Sequence, residues 1–424
     1  MSQKYSSGID RGTLIDWNNP SRIIYGNGKF EEDLPGIISG YNPHNVLVVV
    51  DEIVYKTKTG ELLQDVMKKS GANWKPYFIP PKEPDEEMAE NITAEARKLK
   101  PDLIVAIGGG STIDMAKLMS IMVTNTGRPV DYAALMPDPY SDKVKNDSVP
   151  KILVPTTAGT GSETSNTLVF THETHKTWIT STKVLANIAL IDPELTVSMP
   201  PVVTRNTGMD ALSHLIEGVI SSLANPISDG MIYEGSSLVA SNLVLAYNNG
   251  NNMDARSNMS LAAMMGGWVI AFPWVAGPST IGHCMSEGLS PIFGLAHGAA
   301  GTIMLPHAID YNLPLILSRM PKLAMSLGSE YEGDCVEAGW NVISRIVSLA
   351  KQLDMPYALK YATKKSKDDF LGYIDYILKD RQYLYNLPLY NPRRLTSENL
   401  AELFEDVWEG KFSTVTKMRE GSEM

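Results

Sequence analysis

The stretch LIVAIGGGSTIDMAK, residues 103–117, joins an apolar run to three consecutive glycines and then to a segment with helical spacing. A strand, a tight turn and a helix in this order form the first half of a βαβ unit. Glycines let the backbone approach a ligand closely, and the start of the following helix presents N–H groups to a phosphate. The stretch predicts a phosphate-binding loop. Because it matches neither the G-x-G-x-x-G fingerprint nor a Walker A loop, a plain strand-to-helix turn is the alternative.

The sequence around this stretch alternates short apolar runs with amphipathic segments. Strands are predicted over residues 45–51, 76–81, 103–110 and 151–157, and helical spacing is found over 58–71 and 85–100. This alternation is typical of βαβ units. It predicts a Rossmann-like α/β domain with a mostly parallel sheet that binds a dinucleotide.

The strand signals stop after residues 188–201, and the rest of the chain predicts helices separated by Gly, Pro and Asn clusters. The double proline at 200 and 201 is the natural boundary. We therefore predict an α/β dinucleotide-binding domain over residues 1–199 and an all-helical, metal-binding and catalytic domain over residues 200–424.

Composition limits the classes of function. The 424 residues are 43% hydrophobic and 20% charged, as in soluble globular proteins, and the net charge is −11. That charge argues against nucleic acid or an anionic membrane as a partner and favours a small-molecule substrate. Two cysteines, no apolar leader and no apolar run long enough to span a bilayer predict a cytoplasmic protein.

Two further features support a dinucleotide. The stretch VPTTAGTGSETS, residues 154–165, is a loop rich in hydroxyl groups that follows a predicted strand. Asp51 ends another predicted strand, where dinucleotide folds hold an acid against the ribose 2′-hydroxyl. An acid there would repel a 2′-phosphate, so NAD is preferred over NADP. A solvent-exposed aspartate at a strand end is the alternative.

The histidines suggest a metal. In TGMDALSHLIEG, residues 207–218, Asp210 and His214 are four residues apart and share one helix face. Alone, such a pair is more often a capping acid and a surface histidine. His283 and His297, in IGHCMSEGLSPIFGLAHG, complete a set of one carboxylate and three imidazoles that suits Fe²⁺, Zn²⁺ or another divalent first-row metal. Such a cation would polarise a carbonyl or stabilise an alkoxide.

The order GGGS-x-x-D-x-x-K, PTTAGTGSE, DPEL, TGMDAL-x-H-x-x-E, GH, HG and NPR, from about Asn19 to about Gly410, resembles the iron-containing (group III) alcohol dehydrogenase family. The resemblance implies an α/β dinucleotide domain followed by an all-helical domain, as in dehydroquinate synthase. It also implies reversible hydride transfer between NAD(H) and a small alcohol and its aldehyde or ketone. Family habit suggests a homodimer or a larger assembly, with SRIIYG, residues 21–26, as a candidate intersubunit strand.

The resemblance carries over to individual residues. It implies four metal ligands, with Fe²⁺ as the expected ion and Zn²⁺ or another first-row metal as alternatives: Asp210, His214, His283 and His297. It implies an NAD site made by Asp51, Gly109, Gly110, Ser111, Asp114, Thr156, Thr157, Ser165 and Lys176.

Two further positions each have more than one interpretation. Many relatives have a second histidine four residues after the third ligand, thought to serve in proton transfer, where this chain has Glu287. Its carboxylate could relay a proton, hydrogen-bond a metal ligand, join the metal or form a structural salt bridge. Trp274 falls where the family tends to place an aromatic against the substrate, and core packing is the alternative.

Two other functions remain as alternatives. One is an NAD- and metal-dependent lyase of the dehydroquinate synthase type, which would need Lys and Arg near the metal for a phosphorylated acid. Segments 207–222 and 274–300 contain neither. The other is a non-enzymatic NAD-binding role, in which a ligand would have been lost. The sequence leaves open the alcohol, the metal and the physiological direction.

Overall fold

The computed structural model describes residues 19–133, 143–173, 175–271, 280–330, 333–372 and 391–421. Within them the chain forms two compact units. The first, here called the sheet unit, comprises residues 19–204 and 249–271. The second, here called the helical unit, comprises residues 205–248 and those from 280 onward.

In the described residues of the sheet unit, six parallel strands form one sheet in the order β1-β8-β5-β4-β2-β3. The strand β3 follows β2 on one side, and the next strand in sequence, β4, lies on the other side of β2. This change in the order of the strands is typical of doubly wound sheets. The strands are β1 Arg22–Tyr25, β2 Val46–Asp51, β3 Trp74–Ile79, β4 Leu103–Gly108, β5 Lys151–Pro155 and β8 Ile188–Ile191.

Helices cover both faces of the sheet. Leu47 and Val49 of β2 pack on one side with α5 and α6, and Val48 and Val50 pack on the other with the helices before β3. The side chains from Val46 to Val50 are all buried, and this part of β2 is a continuous apolar run, as is usual in parallel sheets. The α-helices that precede β5 are α1 Lys29–Glu32, α2 Leu34–Tyr41, α3 Glu52–Tyr55, α4 Lys58–Ser70, α5 Glu86–Leu99 and α6 Gly110–Met122.

Caps fix where these helices begin. Thr57 caps α4 through its hydroxyl, and Asp85 caps α5 by accepting a bond of 2.8 Å from Met88 N. Such caps satisfy amides that have no partner inside the helix. After α6 and β5, strands β6 Thr167–His172 and β7 His175–Thr180 form an antiparallel hairpin that the sequence analysis did not predict.

The helical unit contains helices alone among its described elements, and the predicted fold class is confirmed. No described helix is long and apolar enough to cross a membrane. The helices that follow β8 are α7 Pro201–Ile220, α8 Pro226–Asn248, α9 Met253–Ala271, α10 Ile281–Phe293, α11 His297–Ile316, α12 Met320–Ser326, α13 Cys335–Gln352, α14 Ser397–Glu409 and α15 Ser413–Arg419.

The compact units differ from the predicted segments 1–199 and 200–424. The division lies inside the first turn of α7, after Thr204, and α9 belongs to the sheet unit. Arg256 of α9 is buried and bonds to Gly250 O at 2.9 Å and to Thr204 Oγ1 at 2.9 Å. Helical periodicity predicts a helix at this position but not the unit with which it packs.

Candidate metal centre and nucleotide-binding loops

Helix α7 carries three polar side chains on one face. Asp210, His214 and Glu217 follow at intervals of four and three residues, so they point the same way. All three are buried. Burying charged or polar side chains costs free energy unless they form hydrogen bonds, ion pairs or metal bonds.

Three imidazoles surround one oxygen atom. Oδ1 of Asp210 lies 3.8 Å from His214 Nε2, 3.8 Å from His283 Nε2 and 3.5 Å from His297 Nε2. His283 lies in the first turn of α10 and His297 begins α11. The rings of His214 and His283 are stacked, with centroids 4.7 Å apart. The four residues predicted as metal ligands thus lie together.

These distances suit a cation better than direct hydrogen bonds. A gap of 3.5–3.8 Å is too long for a strong N–H···O bond. Ligand atoms at ~2.1 Å around a tetrahedral metal are separated by about 3.4 Å. The ligand atoms of Asp210, His283 and His297 all lie within 4.8 Å of one another, and His214 reaches the same Asp210 oxygen. The donor set therefore fits a divalent first-row metal.

The charges of the site also attract a cation. Burial alone would raise the pKa of the Asp210 carboxyl, but the imidazoles of His214, His283 and His297 hold it well below its usual range. Burial opposes protonation of His283, yet the carboxylates of Glu217 and Asp210 raise the pKa of its imidazole. The carboxylates of Asp210 and Glu217 therefore favour positive charge among these imidazoles, and a bound cation would supply it.

Glu217 is a member of the site to which the sequence analysis gave no role. Its Oε1 contacts Nδ1 of His283, the ring nitrogen opposite the one that faces Asp210. Its Oε2 accepts bonds from the Thr280 hydroxyl and, at 3.1 Å, from His283 N. The signal was present in the sequence, because position 217 lies seven residues after Asp210 on the same helix face.

Two glycines next to the histidines let α10 and α11 approach α7. A β-carbon on Gly282 would lie 2.6 Å from Glu217 Oε1, and one on Gly298 would lie 2.1 Å from Asn206 O. Both distances are shorter than real contacts of a β-carbon. The GH and HG motifs therefore have a steric reason, since any larger residue would displace the adjacent ligand.

The sheet unit holds the residues predicted to bind NAD. Parallel strands end at the same edge of a sheet, and β2, β4 and β5 are neighbours that end at Asp51, Gly108 and Pro155. In doubly wound sheets ligands bind at this edge, where the strand order reverses. The glycine loop and the hydroxyl-rich loop follow directly from these strand ends.

The two loops pack against each other. Thr156 N donates to Gly108 O at 2.9 Å, and a β-carbon on Gly109 would lie 3.3 Å from Thr157 Cγ2. Gly110 has less room, since its β-carbon would lie 2.6 Å from Thr160. Gly109 caps α6 without a side-chain acceptor, so the first amides of α6 have no side-chain cap. Ser111 lies in that first turn.

Lys117 ties α6 to the hydroxyl-rich loop. Its fully buried ammonium donates to Ser162 Oγ at 2.9 Å, to Ser165 O at 3.0 Å and to Thr167 O at 2.8 Å. Asp114 accepts a bond of 2.5 Å from the same Ser162 hydroxyl. Burial lowers the pKa of Lys117 to about 8, against the opposing charge of Asp114.

Two predicted NAD-site residues already have partners within the chain. Oδ1 of Asp51 caps α3 by accepting from Ile53 N at 2.7 Å and Val54 N at 3.0 Å. Lys176, on β7, forms an ion pair with Glu83. A role for either residue at NAD stays a prediction.

Two other predicted residues lie wholly or partly outside the described structure. Trp274 is outside the described residues. Glu287 lies on α10, one turn after His283, and its side chain is outside the described part of the chain. The predictions for both remain untested.

Two family models match most of the chain. A family model described as "Iron-containing alcohol dehydrogenase" matches residues 20–193, and one described as "Fe-containing alcohol dehydrogenase family, C-terminal" matches residues 204–408. The second match begins at the end of the sheet unit's first segment.

Individual proteins are similar over most of the chain. Long-chain-alcohol dehydrogenase 1 of Geobacillus thermodenitrificans is 33% identical over 317 residues, which cover 74% of this chain and 78% of that protein. The NAD-dependent methanol dehydrogenase of Bacillus methanolicus is 30% identical over 289 residues, which cover 68% and 73%. A crystal structure of 1,3-propanediol oxidoreductase matches with a TM-score of 0.83 and 26% identity, covering 93% of this chain and 100% of that one.

Proposed function

This chain belongs to the iron-containing alcohol dehydrogenase family, and we propose that it uses one divalent metal ion, held by Asp210, His214, His283 and His297, to interconvert a small alcohol and its aldehyde or ketone with NAD(H). The family makes it an NAD-dependent oxidoreductase that acts on alcohols. The observation that carries the metal site is the convergence of three Nε2 atoms on one oxygen of Asp210.

When bound, the divalent ion would supply Lewis acid chemistry, polarising the C–O bond of the substrate. Asp210 supplies the negative charge that favours a cation over an empty pocket. The stacked rings of His214 and His283 hold their Nε2 atoms toward the same point. His297 is the most exposed of the four side chains, at 29%, so we expect the substrate to approach the metal from its side.

The sheet unit would bind the dinucleotide. The amides at the start of α6 would donate to the pyrophosphate, and the hydroxyls of Thr156 and Thr157 would complete the phosphate shell. Asp51 has one carboxylate oxygen occupied as a helix cap and a second that would accept from a ribose hydroxyl. Its charge would repel a 2′-phosphate, which favours NAD over NADP.

The test is an assay at 340 nm with a panel of alcohols and aldehydes. The protein is first stripped of metal with a chelator, then reloaded separately with Fe²⁺, Zn²⁺, Mn²⁺ or Ni²⁺. We expect turnover to disappear and to return with metal, with Fe²⁺ the most effective. If no metal restores NADH-linked turnover, the proposal fails. Net oxidation of NADH by a simple aldehyde separates a dehydrogenase from a lyase of the dehydroquinate synthase type, which recycles its NAD.

Assembly and location belong to the proposal as well. β1 lies at one edge of the sheet, and among the described residues no other strand pairs with its outer side. That edge, with Tyr25 38% exposed, supports a homodimer or larger assembly that pairs through β1. Light scattering coupled to size exclusion would measure the mass. The low thiol content supports a cytoplasmic location.

A further inference from the structure

One buried carboxylate contacts both the ring and the backbone of a single metal-ligand candidate. Glu217 is 1% exposed, and its described contacts all come from residues 280–283. It stands on α7, one turn beyond His214. A carboxylate so deeply buried is costly unless its oxygens accept hydrogen bonds. The described hydrogen bonds to the Glu217 carboxylate all come from His283 and from Thr280, three residues before it.

We propose that Glu217 is a positioning residue that fixes the proton and the ring orientation of His283, an inference that rests on the metal site proposed above. A neutral imidazole carries one N–H. With Glu217 Oε1 against Nδ1, the proton lies on Nδ1 and the lone pair lies on Nε2. Nε2 is the atom that faces Asp210 at 3.8 Å. Without Glu217 the ring could rotate or adopt the other tautomer.

The same carboxylate also fixes the backbone that carries the ring. Oε2 accepts from His283 N at 3.1 Å and from the hydroxyl of Thr280, which precedes α10. Gly282 leaves the space that this arrangement needs, because a β-carbon there would lie 2.6 Å from Glu217 Oε1. α7 therefore supplies two ligands directly and sets the position of a third through Glu217.

A purely structural role for Glu217 predicts a different result for metal binding. If Glu217 only anchored the start of α10, its loss would weaken metal binding by the same factor whether or not His283 had an imidazole. If it acts through the ring, its effect must disappear when the ring is removed. A double-mutant cycle between positions 217 and 283 separates the two roles.

The experiment measures Co²⁺ affinity of the metal-free full-length protein by competition with a chromophoric chelator, together with the visible absorption of bound Co²⁺. The variants are Glu217→Gln, His283→Ala and the double variant. Asp310→Asn is the matched control, because Asp310 is a buried carboxylate of the same unit that accepts from Val415 N at 2.7 Å and Thr414 N at 3.1 Å, away from the metal ligands. Thermal denaturation of each metal-free variant reports folding.

We expect Glu217→Gln to raise the Co²⁺ dissociation constant by roughly 10- to 100-fold and to change the visible spectrum. Asp310→Asn should lower the melting temperature but leave the Co²⁺ dissociation constant within about twofold. In the His283→Ala background, Glu217→Gln should change the Co²⁺ dissociation constant by less than about threefold, because the ring through which Glu217 acts is no longer present. If Glu217→Gln does not fold, Glu217→Asp keeps the charge, shortens the reach and should weaken binding to a smaller extent.

An unchanged constant and spectrum in Glu217→Gln would overturn the inference. An equal loss in the presence and absence of the His283 ring would overturn it in favour of a structural anchor. Failure of the unmodified protein to bind any Co²⁺ would refute the proposed metal site itself, and so is distinguishable from failure of the inference.

Discussion

Gly161 and Gly267 lie in direct backbone contact: a β-carbon on Gly267 would be 2.0 Å from the carbonyl oxygen of Gly161. Gly161 lies in the hydroxyl-rich loop with a φ of 60°, and Gly267 lies near the C-terminal end of α9. Nearby, Thr164 Oγ1 donates to Met264 O at 3.1 Å. The hydroxyl-rich loop thus packs directly on α9, and there is no room for a side chain at position 267.

Gly267→Ala should therefore destabilise the protein by about 3 kcal/mol or more, the upper end of overpacking costs. It should also raise the KM for NAD, because the displaced loop carries Thr156 and Thr157. The expected loss of stability is opposite to the usual effect of Gly→Ala inside a helix, which is stabilising. Gly40→Ala is the control, since nothing lies within 4 Å of a β-carbon there, and it should stabilise by up to ~1 kcal/mol. Equal stability of the two variants in urea would contradict the close contact.

Lys117→Met should weaken both stability and NAD binding. The change leaves buried oxygens of Ser162, Ser165 and Thr167 without their donor, at a cost of about 1–3 kcal/mol each. Lys151→Met is the control, because Lys151 is equally buried and bonds to Ser148 Oγ and Lys183 O, each at 2.8 Å, at the far end of β5.

Both lysine variants should lose stability in urea titrations, but only Lys117→Met should show a higher KM for NAD. A similar KM in the two variants would show that Lys117 does not position the loops.

Asp51→Asn should shift cofactor preference. An amide oxygen can still cap α3, while the charge that repels a 2′-phosphate is lost. We expect kcat/KM for NAD to fall about tenfold, as for loss of a charge-assisted hydrogen bond, and kcat/KM for NADP to rise. Asp85→Asn, which alters the cap of α5, should leave the NAD to NADP ratio unchanged. The expectation fails if the ratio at position 51 stays constant.

His307 should make stability sensitive to mild acid. Burial lowers the pKa of its imidazole to about 4, from an ordinary value of 6.5. Between these values the unfolded chain binds a proton that the folded chain does not, so stability falls as pH falls from 6.5 toward 4. The loss attributable to His307 approaches about 3 kcal/mol. Asp310, whose pKa burial raises to about 7, acts in the opposite direction, so a variant is needed to isolate His307.

His307→Gln should remove this contribution. The difference in unfolding free energy between pH 6.5 and pH 4, measured by urea titration, should be smaller in the variant than in the unmodified chain. The same slope in both proteins would mean that the buried ring does not titrate in this range.

Glu287→Gln tests the proton relay. If the carboxylate one turn after His283 transfers a proton, its loss should reduce turnover about a hundredfold and change the pH profile of kcat. A Glu287→Asp variant should retain part of the activity. Unchanged turnover together with an unchanged pH profile would exclude the relay.

The strands at the centre of the sheet could be predicted from sequence because both of their faces are buried. The prediction of 45–51 corresponds to β2 Val46–Asp51, and that of 103–110 to β4 Leu103–Gly108. At the edge the prediction of 76–81 was displaced, since β3 is Trp74–Ile79 and has exposed side chains such as Phe78. An edge strand shows less apolar patterning, so its ends are harder to locate.

The site was predictable in its residue types but not in its connections. Motif order identified Asp210 and the three histidines, and the structure brings them together, while metal binding itself stays a prediction. Glu217 was missed because the sequence does not distinguish a glutamate that contacts a metal-ligand candidate from any other polar residue of the helix. The sequence shows that Glu217 shares a helix face with Asp210, but not that its side chain contacts His283, which lies 66 residues away along the chain.

The placement of α9 has a consequence for biosynthesis. The sheet unit is a discontinuous domain, so a ribosome that has released residues 19–204 has not yet made the helix on which the hydroxyl-rich loop rests. The sheet unit is complete only after residues 249–271 have been synthesised, and the segment 205–248 of the helical unit is synthesised before them. Vectorial synthesis therefore cannot complete the sheet unit before α7 and α8, with Asp210 and His214, have left the ribosome.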